Sequence, residues 1–91
     1  MTESQFQNKI VKFLKDNDCF VTKIHRASVN GIPDLLVLTN VGRMFFVEVK
    51  SETGRLSEIQ KHTHKVIESK NGVVFTLSPK DDWKSILGFV V

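Results

Sequence analysis

The sequence predicts an α/β fold in which one mixed β-sheet is flanked by helices, in the order helix, three strands, helix, strand, helix. Two observations lead to this prediction. Two polar segments carry apolar residues at helical spacing, and residues 35–38 and 44–47 form short runs that are apolar at every position. A strand that is apolar on both faces is typical of the centre of a sheet covered on both sides.

The first half of the chain predicts a helix and then a strand. Thr2 and Gln5 have the spacing of a capping box, and apolar residues recur at positions 6, 10, 13 and 14. The helix is expected to end near residues 17–18. Apolar residues at positions 20 and 24 predict a strand over residues 20–26, and the Asn-Gly-Ile-Pro sequence at 30–33 predicts a turn or loop.

The second half repeats the capping signal. Ser57 and Gln60 predict the start of a helix that continues through residue 70, where Asn71-Gly72 ends it. Residues 73–77 predict a short buried strand, and a last short helix follows Ser78-Pro79. The apolar residues 89–91 are either an edge of the core or part of a two-fold interface.

Size and composition exclude several classes of protein. The 91 residues suit a single domain over 1–91, and 41% hydrophobic with 25% charged residues excludes disorder, a collagen-like repeat and a coiled coil. The net charge of +3 permits a polyanionic partner without requiring one. Cys19 is the only cysteine, which excludes an internal disulfide and fits a reduced, cytoplasmic location. No signal peptide is visible, and no apolar run is long enough for a membrane span.

Two acidic residues interrupt the apolar hairpin. If the turn consists of residues 40–42, with Gly42 in the left-handed conformation, then Asp34 lies directly opposite Glu48. Opposed residues have Cβ atoms about 4.5–5.5 Å apart, so the two carboxylates could share one ion. A two-residue turn would place them on opposite faces, and the glycine at the third turn position favours the first arrangement.

Two opposed carboxylates require a compensating positive charge. Lys50 is one candidate, because it lies two residues after Glu48 on the same face of the strand. The other is Mg²⁺, which binds oxygen ligands and takes only one or two carboxylates from a protein. Such an ion could polarise a phosphoryl oxygen, with Lys50 orienting the attacking water. The alternative is an edge salt bridge between Glu48 and Lys50, with Asp34 a turn residue.

Four spaced blocks follow one another along the chain. They are Gly31-Ile32-Pro33-Asp34, Phe46-Val47-Glu48-Val49-Lys50-Ser51, Gly54-Arg55-Leu56-Ser57 and Gln60. Together they resemble the PD-(D/E)XK nucleases, and most closely their VRR-NUC branch, including its small virus-encoded members. The resemblance runs from Glu3 to about Leu77 and implies a restriction-endonuclease-like fold with kinship to Holliday-junction resolvases. It also implies Mg²⁺- or Mn²⁺-dependent hydrolysis of DNA phosphodiester bonds.

The same resemblance implies roles for individual residues. Asp34 and Glu48 would bind the metal together with the backbone carbonyl of Val49, and Lys50 would be the catalytic lysine. Family members also place a glutamate of the first helix and a glutamine of the second helix near the metal. Those residues correspond to Glu3 and Gln60.

Both of these helix residues also have a simpler interpretation. Glu3 can be a first-turn acid favoured by the helix dipole, and Gln60 can be the returning half of its capping box. Glu3 also has the spacing of the inward-facing stripe of the first helix. His62 and His64 are two residues apart in a helix and cannot share a face, which argues against a histidine metal site.

We therefore expect a metal-dependent endonuclease that selects branched DNA and works as a homodimer with two active sites. Basic residues before Gly31 and around the second helix would contact phosphates or form a solvated face. These basic residues are Lys23, His25, Arg26, Arg55, Lys61 and Lys65.

The alternative to a nuclease is a non-catalytic DNA-binding or assembly module that keeps the nuclease fold.

Overall fold

A computed structural model describes residues 1–90 of the chain. The observed order of elements confirms the predicted α/β class. A short 3₁₀-helix (Trp83–Ile86) precedes the last helix. The other elements are α1 (Glu3–Asp16), β1 (Phe20–Lys23), β2 (Leu35–Leu38), β3 (Met44–Val49), α2 (Glu58–Ser69), β4 (Val74–Leu77) and α3 (Leu87–Val90). None of the helices in this described part is long and apolar enough to cross a membrane.

Both long helices begin at the predicted capping boxes. The Thr2 hydroxyl accepts a hydrogen bond from the Gln5 backbone N–H at 3.1 Å, and the Gln5 side chain accepts one from the Thr2 N–H at 2.8 Å. Ser57 and Gln60 repeat this exchange at the start of α2. Each box satisfies N–H groups that the first turn of a helix leaves unpaired.

The four strands form one sheet in the order β1-β2-β3-β4. The pairs β1–β2 and β2–β3 are antiparallel, and β3–β4 is parallel, so α2 serves as the crossover between β3 and β4. Strand β1 ends at Lys23, three residues before the predicted end, although the Ile24 N–H still donates to the carbonyl of Asp34 at 2.8 Å.

The hairpin between β2 and β3 has the predicted three-residue turn. The Thr39 N–H donates to the Arg43 carbonyl at 2.8 Å, and Gly42 has φ +82°. Leu35 then pairs with Val47 in the ladder. Continuing this register by one residue sets Asp34 opposite Glu48, as the sequence predicted.

One face of the sheet carries the core. Helix α1 covers it with Phe6, Ile10 and Leu14, which are buried together with alternate residues of the central strands. Those strand residues are Leu35, Val37, Phe45, Val47 and Val49.

The C-terminal segment packs on this same face and is an edge of the core. The ring of Phe89 makes edge-to-face contacts with Phe45 and Phe75, and Val90 is buried. Trp83 contacts the rings of Phe6 and Phe13 on α1 in the same way. The predicted core edge is thus seen at residues 89–90, and Val91 lies outside the described residues.

The opposite face is covered only in part. Helix α2 lies over the end of β3 that contains Glu48, where His64 contacts it. At the other end, Phe20, Leu38 and Met44 are direct partners across three neighbouring strands, and all three are exposed. The face under α1 therefore carries the core, whereas the face under α2 leaves the row of Phe20, Leu38 and Met44 exposed to solvent.

The Gly31 loop fixes α2 against the start of β2. Gly31 has φ +78°, and a Cβ atom there would lie 2.6 Å from the carbonyl oxygen of Ile59 in α2. The neighbouring Asn30 carbonyl accepts a hydrogen bond from the Thr63 hydroxyl at 2.6 Å. Only glycine allows this close approach of loop and helix.

Replacement of Gly31 by alanine should therefore destabilise the protein more than the same change at Gly42. Gly42 has φ +82°, but a Cβ atom added there would meet no other atom within 4 Å, so Gly42→Ala incurs only the left-handed backbone cost of about 1–2 kcal/mol. Gly31→Ala adds a clash with helix backbone, for a total of about 3 kcal/mol or more. Urea denaturation measures both losses, and equal losses would contradict the packing described here.

Candidate active site

The candidate site forms where the β2–β3 hairpin ends under α2. Asp34 immediately precedes β2, and one of its carboxylate oxygens, Oδ2, accepts a hydrogen bond from the Val49 N–H at 2.7 Å. Glu48 lies in β3, where the hairpin register sets it directly opposite Asp34. The three-residue turn thus places the two acids side by side on one face of the hairpin.

Glu48 is buried, with only 1% of its surface exposed, and its two oxygens have different neighbours. Oε1 lies 3.2 Å from Nε2 of His64. Oε2 lies 3.5 Å from Nε2 of Gln60 and 4.0 Å from Nζ of Lys50. A buried acid surrounded in this way is held in one orientation by groups from both β3 and α2.

Lys50 and Gln60 are joined by a direct hydrogen bond. Lys50 follows β3, where its N–H donates to the Leu77 carbonyl at 2.9 Å, and its ammonium donates to Oε1 of Gln60 at 3.0 Å. The same Gln60 oxygen accepts from the Ser57 N–H at 2.9 Å. The two interpretations of Gln60 are therefore compatible, because one side chain both caps α2 and contacts the site.

The electrostatics of the pair favour a bound proton. Burial, together with the hydrogen bond and the charge of Asp34, raises the pKa of Glu48 to about 8, while Lys50 acts in the opposite direction. Burial also lowers the pKa of His64, and the nearby charge of Lys50 adds to this effect. Burial and the neighbouring Asp34 thus both favour the protonated form of Glu48.

Glu3 is not part of this contact network. Its side chain is exposed in the first turn of α1, one turn before the first buried residue, Phe6. Its charge nevertheless makes the smallest contribution to the raised pKa of Glu48. Among residues 1–90, no three side chains of His, Cys, Asp or Glu lie close enough to hold a metal ion by themselves.

The donor set nevertheless fits a hard divalent cation. Asp34 and Glu48 provide two opposed carboxyl groups on one side of the hairpin, and the raised pKa of the buried Glu48 indicates that a positive charge would be stabilised there. The carbonyl of Val49 is a third oxygen, adjacent in β3. Mg²⁺ keeps several waters and needs few protein ligands, so this sparse set is chemically suitable.

His64 is the residue that the sequence analysis missed. His62 and His64 do lie on different faces of α2, since His62 is exposed and His64 is buried. The informative spacing was instead between His64 and Gln60, which are four residues apart and therefore share one helix face. Both contact Glu48.

Two arginines lie in loops at the same end of the sheet as Asp34 and Glu48. Arg26 is exposed in the loop that leads to Asp34, and Arg55 is exposed in the loop that follows Lys50. Lys23, the last residue of β1, instead donates to Oδ1 of Asn8 in α1 at 3.0 Å. Exposed arginines at this end of the sheet suit a surface that approaches phosphate groups.

No curated protein gives a significant match to this chain. Comparison with protein families gives a match to the VRR-NUC domain over residues 2–78. The matched span extends from α1 through β4 and contains Asp34, Glu48, Lys50 and Gln60. The chain therefore belongs to the VRR-NUC family of nuclease-type DNA-processing domains.

Proposed function

We propose that this protein is an endonuclease that uses a divalent cation, Mg²⁺ or Mn²⁺, to hydrolyse DNA phosphodiester bonds. The observation that carries the proposal is the hairpin register that sets Asp34 opposite Glu48, with the Lys50 ammonium 4.0 Å from Glu48. Membership of a nuclease-type family supports the same reaction class.

Asp34, Glu48 and the carbonyl of Val49 are the groups that would hold the cation. When bound, a divalent cation polarises a phosphoryl oxygen and lowers the pKa of a water molecule. Glu48, whose pKa is raised to about 8, must first release its proton, because only ionised carboxylates bind the ion well.

Lys50 supplies a positive charge that does not depend on the cation. Its ammonium carries three donors, one of which is directed to Gln60. The others are available in this proposal to orient the attacking water and to stabilise negative charge on the phosphate in the transition state. Gln60 positions Lys50 through its oxygen and approaches Glu48 through its nitrogen, so one amide aligns both groups.

DNA is the proposed substrate, and branched DNA is the preferred form of it. In this proposal Arg26 and Arg55, which are exposed in the two loops at this end of the sheet, contact phosphates and give affinity that depends on salt and not on sequence. Selection of branched DNA follows from the resemblance to junction resolvases and requires two sites that act on two strands.

A homodimer would provide those two sites, and we place its interface at the exposed row on the partly covered face. Phe20 is 66% exposed and Met44 is 57% exposed, and both are direct partners of Leu38. Three large apolar side chains in one row are costly to leave in water, and a second copy of the same row is complementary to it by two-fold symmetry.

Cleavage of labelled branched and linear DNA tests the proposed function directly. We expect cutting with Mg²⁺ or Mn²⁺ and none with EDTA, and we expect Glu48→Ala and Lys50→Ala each to reduce kcat by about 100-fold or more. Glu52→Ala and Lys80→Ala are matched controls, because both residues are exposed, neither belongs to the proposed site or to the basic residues named above, and both should leave kcat unchanged.

Two outcomes would contradict this function. Cutting that persists in EDTA would exclude the proposed cation, and full activity of Glu48→Ala or Lys50→Ala would exclude the proposed site. Binding of DNA by the wild-type protein without any cleavage would favour a DNA-binding or assembly module instead.

The stability of the metal-free protein should fall as pH rises from about 4.5 to about 8. The pKa of Glu48 is about 8 in the folded protein against an ordinary value of 4.5, so over this interval the folded state binds more protons than the unfolded state. The contribution of Glu48 to the free energy of unfolding should fall by up to about 1.4 kcal/mol per pH unit.

Urea denaturation in EDTA at several pH values measures this effect by comparison with variants. Glu48→Gln cannot ionise, so its stability relative to wild type should increase steadily from pH 5 to pH 8. Glu52→Gln, at an exposed position, should follow the wild-type curve. Parallel curves for wild type and Glu48→Gln would show that Glu48 has an ordinary pKa.

The dimer interface is tested by light scattering on the eluting protein. Wild type should have the mass of two chains, and the double variant Phe20→Glu/Met44→Glu should have the mass of one, because four charges would meet at the interface. Val29→Glu is the matched control, since Val29 is also exposed (55%) but lies in a loop. A monomeric wild type, or a double variant that stays dimeric, would refute this interface.

A further inference from the structure

His64 connects the helix α2 to one oxygen of Glu48. Its Nε2 atom lies 3.2 Å from Oε1 of Glu48, and only 7% of the residue is exposed. The ring nitrogen donates a hydrogen bond in the Nε2–H tautomer and in the imidazolium form alike. Since Glu48 is itself buried, this is a contact from which water is excluded.

The contact determines how the Glu48 carboxylate is turned. Oε1 is directed to His64, and Oε2 is directed to Gln60 at 3.5 Å and Lys50 at 4.0 Å. A carboxylate with a different partner for each oxygen has a fixed plane. Removing the partner of Oε1 would let the group rotate and would leave a buried oxygen without a hydrogen bond.

The position of His64 is itself fixed by the fold. The preceding residue, Thr63, donates its hydroxyl hydrogen bond to the carbonyl of Asn30 at 2.6 Å. This holds α2 against the Gly31 loop that leads directly into Asp34. This hydrogen bond therefore holds the helix that carries His64 against the loop that leads to Asp34.

We propose that His64 is a positioning residue, whose Nε2–H donor orients the Glu48 carboxylate for cation binding. This inference rests on the proposed function, because it assumes that Asp34 and Glu48 hold the ion. Outer hydrogen-bond partners of metal-binding carboxylates generally affect affinity by about 10–100-fold. A residue that only fills space in the core would affect folding but not the affinity for the cation.

Calorimetric titration of the full chain with Mn²⁺ separates these two roles. His64→Leu keeps the apolar volume but removes the donor, and we expect it to weaken Mn²⁺ binding by about 10–100-fold. His64→Gln places an amide donor near the position of Nε2, and its affinity should lie within about threefold of wild type. His62→Leu changes an exposed histidine of the same helix and should bind as wild type does.

A shorter donor provides a second comparison if His64→Leu fails to fold. His64→Asn has the same amide as His64→Gln but does not reach Glu48, so it should show the weak binding. Wild-type-like affinity in His64→Leu or in His64→Asn would overturn the positioning role. Equally weak binding by His64→Gln and the non-donating variants would also overturn it.

The wild-type titration distinguishes failure of this inference from failure of the proposed function. If wild type binds no Mn²⁺, both the cation site and the role of His64 are wrong. If wild type binds Mn²⁺ and the His64 variants bind equally well, only the role of His64 is wrong. If wild type binds Mn²⁺ with the expected loss in His64→Leu but cuts no DNA, the positioning role stands and the nuclease reaction does not.

Discussion

The opposition of Asp34 and Glu48 across one hairpin is the constraint on which the rest of the site depends. The register that sets it is fixed by hydrophobic burial, because Leu35, Val37 and Val47 must face α1. A slip of one residue would turn Glu48 into the apolar core and would turn core residues toward α2. The same alternation that builds the core therefore places two acids side by side on the other face.

The site also lowers the stability of the folded state. Two opposed carboxyl groups, one of them buried, are destabilising when both are ionised, and the raised pKa of Glu48 reflects this free-energy cost. The surroundings reduce the cost through the contacts with His64, Gln60 and Lys50. Strongly shifted pKa values caused by burial and a like charge are typical of functional sites. A cation bound between the two groups would remove the repulsion and stabilise the folded state.

Much of this arrangement could be predicted from local sequence signals. The two capping boxes fixed where α1 and α2 begin, and Gly42 identified the length of the turn and therefore the register of the hairpin. These signals are reliable because each depends on residues only a few positions apart. Gln60 has two roles, because it completes the capping box of α2 and also contacts Lys50 in the site. The first turn of α2 lies over the end of β3, so the same amide reaches both.

The environments of Glu3 and His64 could not be predicted, because they depend on contacts between residues that are far apart in the sequence. Glu3 has the spacing of the buried stripe of α1 but is exposed, because the packed part of the helix begins at Phe6. The spacing of His64 from His62 shows only that the two histidines lie on different faces of α2. The contact of His64 with Glu48 depends instead on where α2 crosses the sheet. That crossing is set by the approach of α2 to Gly31, which is a tertiary contact.

The most direct test of the central claim is a crystal of the protein soaked in Mn²⁺ and measured for anomalous scattering. The account predicts one peak between Asp34 and Glu48, at a coordination distance of about 2.1 Å from a carboxylate oxygen of each. A peak elsewhere, or none in crystals at saturating Mn²⁺, would contradict the claim that these two acids share an ion.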